Sequence, residues 1–128
     1  MLSLEQQHWH VDSIIRGAVR RGALLLDDHE RDWPRWIDVA ELDLSDRFAC
    51  ILGQIVFHLY GDCTNEQVDE FTARLSLWGV TDWIDYGFEL MDLPMAVMED
   101  REYWWGVLKR YWIAEISARR LAIGALVA

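Results

Sequence analysis

The sequence predicts a mostly α-helical protein: a single compact domain of about four principal helices with an acidic, aromatic-rich connector. Apolar residues recur at three- and four-residue steps over several long segments, which is typical of helices with one buried face. Helix-capping residues stand near the starts of these segments. A chain of 128 residues is long enough for one hydrophobic core, so we expect one domain over residues 1–128.

The first helix is predicted to run from about Leu4 to Asp28 or slightly beyond. Its apolar stripe consists of Val11, Ile14, Ile15, Ala18, Gly22, Leu25, Leu26 and His29. A proline disfavours the helical conformation of the residue before it, and Pro34 therefore predicts a break near Asp32. Because proline fits the first turn of a helix, a short helix from Pro34 toward Val39 is expected next.

Residues 38–45 are too few for a long helix and are interpreted as an ordered connector. The second long helix is predicted from about Asp46 to Tyr60. Its expected inner face carries Phe48, Ile51, Leu52, Ile55 and Leu59. Gly61 and Asp62 follow, and a glycine at this place commonly ends a helix because it adopts the left-handed conformation without strain.

Thr64 and Gln67 have the spacing of a capping box, in which two side chains bind free backbone N–H groups at a helix start. They predict a third helix that stops at Gly79. Its inward residues are expected to be Val68, Phe71, Leu75 and Trp78. Residues 80–93 show no clear period, and we interpret them as an aromatic loop with a short helix.

The last long helix is predicted to begin near Pro94 and to run to about Ala122. Its expected buried stripe consists of Tyr103, Trp104, Val107, Leu108, Tyr111, Trp112 and Ile116, and its basic residues Lys109, Arg110, Arg119 and Arg120 are expected mostly elsewhere. The acidic start and basic end of this helix suit the helix dipole. The apolar tail, residues 121–128, is expected either to pack on the domain or to meet a partner.

The charge of the protein is strongly acidic and unevenly placed. Twelve basic and 22 acidic residues give a net charge of −10. Segments 27–46 and 82–102 each carry a net charge of −6, whereas residues 103–128 carry +3. Such a field repels nucleic-acid phosphates and anionic membranes and attracts basic proteins, so we expect neither nucleic acid nor a membrane as a direct partner. The plainer interpretation, that the acidic surface keeps a small protein in solution, stays open.

The eight tryptophans are more large rings than a domain of this size easily buries, so some of them are expected at the surface, where tryptophan favours interfaces. Combined with the acidic residues, they predict two candidate partner-binding faces. The first consists of Asp27, Asp28, Asp32, Trp33, Trp36, Asp38 and Asp43. The second consists of Asp82, Trp83, Asp85, Glu89 and Asp92.

The residues that usually carry catalysis or bind metal are poorly spaced here. Cys50 and Cys63 lie 13 residues apart, and His8 and His10 point to different sides of a helix. No phosphate-binding glycine motif is present in the sequence. We therefore expect no catalytic residue, metal or cofactor, and no enzyme activity. Two cysteines without a disulfide framework, and the lack of a signal-peptide pattern at the start of the sequence, favour a cytoplasmic location.

Gln54 and His58 are polar residues four apart on one apolar helix, so each is expected to make a partly buried polar contact. Two interpretations remain open at this point. The side chains either bridge helices and satisfy a loop backbone, or they contact a ligand.

Several short motifs run through the middle of the chain. They are Gly22-Ala-Leu-Leu-Leu-Asp27, Trp33-Pro-Arg-Trp-Ile-Asp38, Leu42-Asp43-Leu44 and Cys50-Ile-Leu-Gly-Gln54 with Tyr60-Gly61, followed more loosely by Gly87-Phe88, Trp112 and Ala118-Arg119-Arg120. This pattern resembles a family of small proteins of actinobacteria and their phages. The resemblance implies a phage or prophage accessory protein. Within the pattern, Cys50, Gly53, Gln54 and Tyr60, together with His58, are expected to be structural.

The leading hypothesis is an acidic phage or prophage accessory protein that binds and inhibits or modulates a basic host protein, as anti-defence, DNA-mimic or host-takeover proteins do. A nucleic-acid-binding host protein fits well, because carboxylates resemble the phosphates that it binds. The alternatives are a helical homodimer with a structural or regulatory function, an immunity protein against a toxin, and a small metal-dependent enzyme.

Overall fold

The computed structural model describes residues 2–127, which form five α-helices joined by loops and short 3-10 helices. The α-helices are α1 (Leu4–His29), α2 (Trp33–Trp36), α3 (Ile51–Tyr60), α4 (Asn65–Leu77) and α5 (Arg101–Val127), and the 3-10 helices are Val39–Glu41, Ile84–Tyr86 and Met95–Asp100. The predicted fold class is confirmed: the described residues contain no strand, and four of the helices are long while α2 is a single turn. Within residues 2–127, no helix is both long enough and apolar enough to span a membrane.

Helix α1 begins with a capping box formed by Ser3 and Gln6 and ends as the sequence predicts. Its buried face consists of Val11, Ile15, Ala18, Val19, Gly22, Ala23 and Leu26. The predicted stripe was therefore partly wrong, because Ile14 and His29 are exposed and Leu25 is half-buried. The loop around residues 84–87 packs on α1 beside α5, and this second contact widens the buried face.

Helix α3 begins at Ile51, five residues after the predicted start at Asp46. The Asp46 carboxylate accepts the backbone N–H of Phe48 at 2.9 Å, a local bond that competes with helix formation. Residues 46–49 therefore form a turn, and Cys50 caps the helix by accepting the Gly53 N–H at its Sγ atom. As a result Phe48 lies outside the inner face that the sequence predicted, and Leu59 is exposed as well.

Helix α4 confirms the capping box of Thr64 and Gln67, and the chain turns at Gly79 in the left-handed conformation. Helix α5 begins at Arg101, later than predicted. The residues before it form a 3-10 helix because the Val97 N–H bonds to the Pro94 carbonyl three residues back, which buries Val97. The helix continues through residue 127, so the apolar tail is helical as far as the structure describes it, and Ala128 lies outside the described residues.

The core is built around three fully buried tryptophans, Trp33, Trp104 and Trp112. The rings of Trp33 and Trp112 meet edge to face, with centroids 5.9 Å apart. The Trp112 indole N–H donates to the Gly87 carbonyl at 2.7 Å, which ties α5 to the loop that packs on α1. Large rigid rings of this kind bury much apolar area for few residues.

Two predicted outward residues of α5 in fact hold the neighbouring helices. The Arg119 guanidinium forms an ion pair with Asp27 of α1 at 2.9 Å. Arg120 donates to the Pro34 carbonyl at 2.9 Å and to the Ile37 carbonyl. Neither arginine is buried, as expected of residues outside the apolar stripe, yet each side chain reaches across to an acceptor on a neighbouring element.

Candidate functional site

The connector is fixed in place by the side chain of Gln54. The Gln54 Oε1 atom accepts the Asp38 N–H at 2.5 Å, and its Nε2 atom donates to the carbonyls of Asp38 and Ala49, both at 3.1 Å. One amide thus uses both of its ends to join the residues after α2 to the turn before α3. Two interpretations of Gln54 were left open, a contact with a ligand and a bond to a loop backbone. The structure shows the bonds to a loop backbone.

Gly53 allows the turn before α3 to lie directly on the helix, because a Cβ atom at this position would overlap the Arg47 carbonyl oxygen. Cys50 lies at the same junction. Burial raises the pKa of the Cys50 thiol, and burial together with the nearby Asp62 carboxylate raises that of Cys63. A raised pKa makes a thiol less reactive as a nucleophile, because the thiolate is the reactive form.

A groove of about 690 Å³ opens between α2, the connector and α3. Its lining consists of Arg35, Trp36, Asp38, Glu41, Phe48, Ala49, Gln54, Phe57, His58 and Gly61. We call it the connector groove. Its volume lies in the range that is typical of ligand and anchor sites in proteins.

Aromatic side chains form one wall of the connector groove. The Trp36 ring stacks on the His58 ring with centroids 4.3 Å apart and an angle of 12° between their planes. Phe48 and Phe57 are 42% and 59% exposed, high values for phenylalanine. Behind this wall, the Tyr60 hydroxyl accepts a hydrogen bond from Arg74 of α4 at 2.9 Å, so α3 is held from both sides.

Two carboxylates, those of Asp38 and Glu41, line the groove as well. Asp38 accepts the Ala40 N–H at 3.0 Å and remains exposed, and the Glu41 side chain is exposed beside it. Asp43 follows in the next turn, where it accepts the Ser45 hydroxyl and N–H, and these bonds lower the pKa of Asp43. The groove therefore combines apolar rings with the exposed carboxylates of Asp38 and Glu41, a surface suited to a cation with an apolar stem.

The first predicted face is only partly a surface. Trp33 is 0% exposed, so it cannot contact a partner, and the prediction that it does is wrong. Asp27 accepts the Trp33 indole N–H and pairs with Arg119, which makes it part of the internal packing of α1, α2 and α5. Of the remaining residues of this face, Trp36 and Asp38 line the connector groove, and Asp28, Asp32 and Asp43 are exposed.

The second predicted face is exposed throughout. Trp83 and Glu89 line a separate cavity of about 360 Å³ together with Trp105. Asp82 accepts the Ile84 N–H at 2.9 Å and so shapes the loop, whereas Asp85 and Asp92 lie outside that cavity lining.

Sequence reasoning missed Arg35, Glu41, Phe48 and Phe57 as groove residues. A signal for Phe57 was present, because Gln54, Phe57, His58 and Gly61 recur at three- and four-residue steps and all four line the groove. Phe48 had no such signal, since its outward direction depends on the turn that replaces the first turn of the predicted helix.

Within residues 2–127, the structure brings together no group of three metal-ligating side chains. Comparisons with protein-family models, with curated proteins and with solved structures found no match to this chain. Its function is therefore inferred from its own residues and their geometry.

Proposed function

We propose that this protein is a non-enzymatic binding protein whose connector groove binds a basic segment of a partner protein. The observation that carries the proposal is that one groove joins exposed aromatic rings to exposed carboxylates, and that its carboxylates belong to one of the two segments with a net charge of −6. Following the resemblance to actinobacterial phage proteins, the proposed partner is a host protein with a basic, nucleic-acid-binding surface, which binding would inhibit or modulate.

The aromatic wall supplies the anchors that such a complex needs. Buried aromatic side chains near the centre of an interface usually contribute most of the binding free energy, while the polar rim contributes specificity. Under this proposal, a partner covers Phe57 and Trp36 of the connector groove, and Glu41 contributes to the polar rim.

The charge of the surrounding segment favours the same class of partner. Residues 27–46 carry a net charge of −6, and this field raises the rate at which a basic protein meets the groove. Salt screens such attraction, so capture of the partner is expected to weaken as ionic strength rises.

The proposal is tested by capturing proteins from a high-GC actinobacterial lysate on the immobilised protein, at low and at moderate salt, with identification by mass spectrometry. The groove variant combines Glu41→Lys with Phe57→Ala. Both positions are exposed, so the fold is expected to persist, as circular dichroism would check. We expect a basic protein that is retained by the wild type, lost by the groove variant and weakened by salt.

The matched control combines Glu70→Lys with Leu77→Ala on α4, which makes the same charge reversal and the same kind of apolar truncation at exposed positions outside the groove lining. The control is expected to retain the partner. Equal capture by the wild type and the groove variant would refute the proposed function of the groove.

Self-association is a second candidate, favoured by apolar side chains left uncovered on the two long helices. Trp9 of α1 is 71% exposed and Leu121 of α5 is 76% exposed. Sedimentation equilibrium over a wide range of protein concentration tests it. A dimer that the Trp9→Ser variant dissociates would support this candidate, whereas a monomer at every concentration would exclude it.

A further inference from the structure

The protein contains one site in which an aromatic ring and two carboxylates bind the guanidinium group of its own Arg119. Arg119 lies over the Trp33 ring, 5.6 Å from its centroid. Its Nε and Nη2 atoms each donate to a different carboxylate oxygen of Asp27 at 2.9 Å, and its Nη1 atom donates to Glu115 at 2.5 Å. Arg119 thus contacts one aromatic face, one carboxylate that accepts two of its hydrogen bonds, and a second carboxylate that accepts another.

The connector groove contains the same three kinds of group. Trp36 supplies the aromatic face, and Asp38 and Glu41 supply two carboxylates. Among residues 2–127, no basic side chain forms an ion pair with either carboxylate, although Arg35 lies on the rim of the groove. The groove therefore has the components of the Arg119 site without a cation from this chain bound between them.

We propose, on the basis of the proposed function, that the connector groove binds an arginine side chain of the partner protein. Its guanidinium packs on the aromatic wall near Trp36 and Phe57 and donates to the carboxylates of Asp38 and Glu41. A cavity of about 690 Å³ is larger than one side chain, so the residues flanking the arginine are accommodated in it as well.

The chemistry favours arginine over lysine. A guanidinium is planar, stacks on aromatic rings and presents paired N–H groups to a carboxylate, whereas the lysine ammonium is a compact and strongly hydrated charge. At the edge of the groove, the Arg47 guanidinium lies over the Phe48 ring, 6.0 Å from its centroid, which is the outer limit of a cation–π contact.

The backbone that carries one carboxylate of the groove is also ordered before a ligand binds. Gln54 fixes the backbone of residue 38 through two hydrogen bonds, so the Asp38 carboxylate is presented from a rigid position. A site that is ordered in advance loses less conformational entropy when its ligand arrives.

The test uses isothermal titration calorimetry with two synthetic peptides of glycine and alanine that carry spaced arginines or, at the same positions, lysines. We expect the arginine peptide to bind about tenfold more tightly than the lysine peptide. In the variant Asp38→Asn with Glu41→Gln, arginine binding is expected to weaken about tenfold and the preference to disappear. Asparagine retains the oxygen that accepts the Ala40 N–H, so the turn is preserved.

The matched control is Asp82→Asn with Glu70→Gln. Asp82 accepts the N–H two residues on, as Asp38 does, and both control positions lie outside the groove lining, so arginine selectivity is expected to persist. Arg35→Gln provides an independent test in the opposite direction: removing this cation from the rim is expected to tighten arginine binding about threefold.

Equal affinity for the two peptides, or binding of neither, would overturn the assignment of arginine. Selectivity that survives in the groove variant would overturn it as well. These outcomes are distinguishable from failure of the proposed function, because lysate capture that depends on Glu41 and Phe57 supports the binding function whichever cation the groove prefers.

Discussion

At the scale of single residues, Gln54 determines the position of a whole connector. Its amide bonds to backbone atoms of residues 38 and 49, which come from the two segments that border the groove. The side chain is half-buried, and its bond to Ala49 is partly shielded from water, whereas its two bonds to Asp38 are exposed. The stability of the connector and the shape of the groove therefore depend on the same three hydrogen bonds.

Replacing Gln54 by leucine is expected to lower the free energy of unfolding by about 2 kcal/mol, because backbone groups of the connector lose their partner. Urea unfolding followed by circular dichroism measures this. Gln7→Leu is the control, since Gln7 makes one exposed bond near the start of the chain and its loss is expected to cost less than about 0.5 kcal/mol. Equal effects of the two substitutions would contradict the importance of the Gln54 bonds.

A second residue-scale prediction concerns Asp27 and acid. Partial burial raises the pKa of this carboxyl, but hydrogen bonds from Arg119 and Trp33 outweigh it, so the pKa of Asp27 lies below its ordinary value. Its contribution to stability is therefore complete above the unfolded pKa of about 3.9 and is lost as pH falls through the lower folded pKa.

We expect the free energy of unfolding of the wild type to fall as the pH drops below about 4, and that of Asp27→Asn to fall less steeply. Urea unfolding at a series of pH values tests this. Asp43→Asn serves as a comparison. The pKa of Asp43 is lowered as well, but by bonds to Ser45 within one exposed turn and not by an ion pair between helices. Identical slopes for the wild type and Asp27→Asn would show that the ion pair with Arg119 does not contribute.

At the scale of elements, α1 and the loop around residue 86 approach each other closely at Gly22. A Cβ atom at Gly22 would overlap the Tyr86 carbonyl oxygen and press on the Trp112 ring. Gly17 lies one and a half turns earlier, and its nearest neighbour would be the flexible end of Arg21 at 3.4 Å. The same helix thus contains one glycine that packing requires and one that it does not.

Gly22→Ala is expected to destabilise the protein by about 2 kcal/mol, although alanine favours the helix, because overpacking exceeds the gain in propensity. Gly17→Ala is expected to stabilise it by about 0.5 kcal/mol. Thermal unfolding of the two variants measures both signs. Stabilisation by both substitutions would show that the contact at Gly22 relaxes without cost.

The same scale explains what the sequence could predict. Helix α4 was located correctly from its capping box, which is a local signal, and α1 from the length of its apolar stripe. The start of α3 was misplaced because Asp46 favours a turn whose bond to Phe48 no apolar period reveals. The groove itself depends on Gln54 reaching residue 38, sixteen positions away, and this contact requires the three-dimensional path of the connector.

At the scale of the whole molecule, charge is unevenly distributed along the chain. Helix α5 carries five basic residues against two acidic ones, whereas residues 27–46 carry a net charge of −6. Exposed carboxylates of the connector therefore repel one another, and this repulsion opposes the folded state.

Because salt screens such repulsion, sodium chloride is expected to raise the midpoint of thermal unfolding by a few degrees. Differential scanning calorimetry at increasing ionic strength measures the rise, and choline chloride is expected to produce the same rise if screening is its cause. A midpoint that falls with salt would show that attractive ion pairs outweigh the repulsion.

The hydrogen bonds of Gln54 have a consequence for evolution. They engage only main-chain atoms of residues 38 and 49, so they place no demand on the side chains at positions 41, 48 and 57. A lineage can therefore inherit the frame of the groove unchanged while it exchanges the side chains that face a partner. Descendants that retain Gln54 are free to follow a changing target by substitution at those three positions alone.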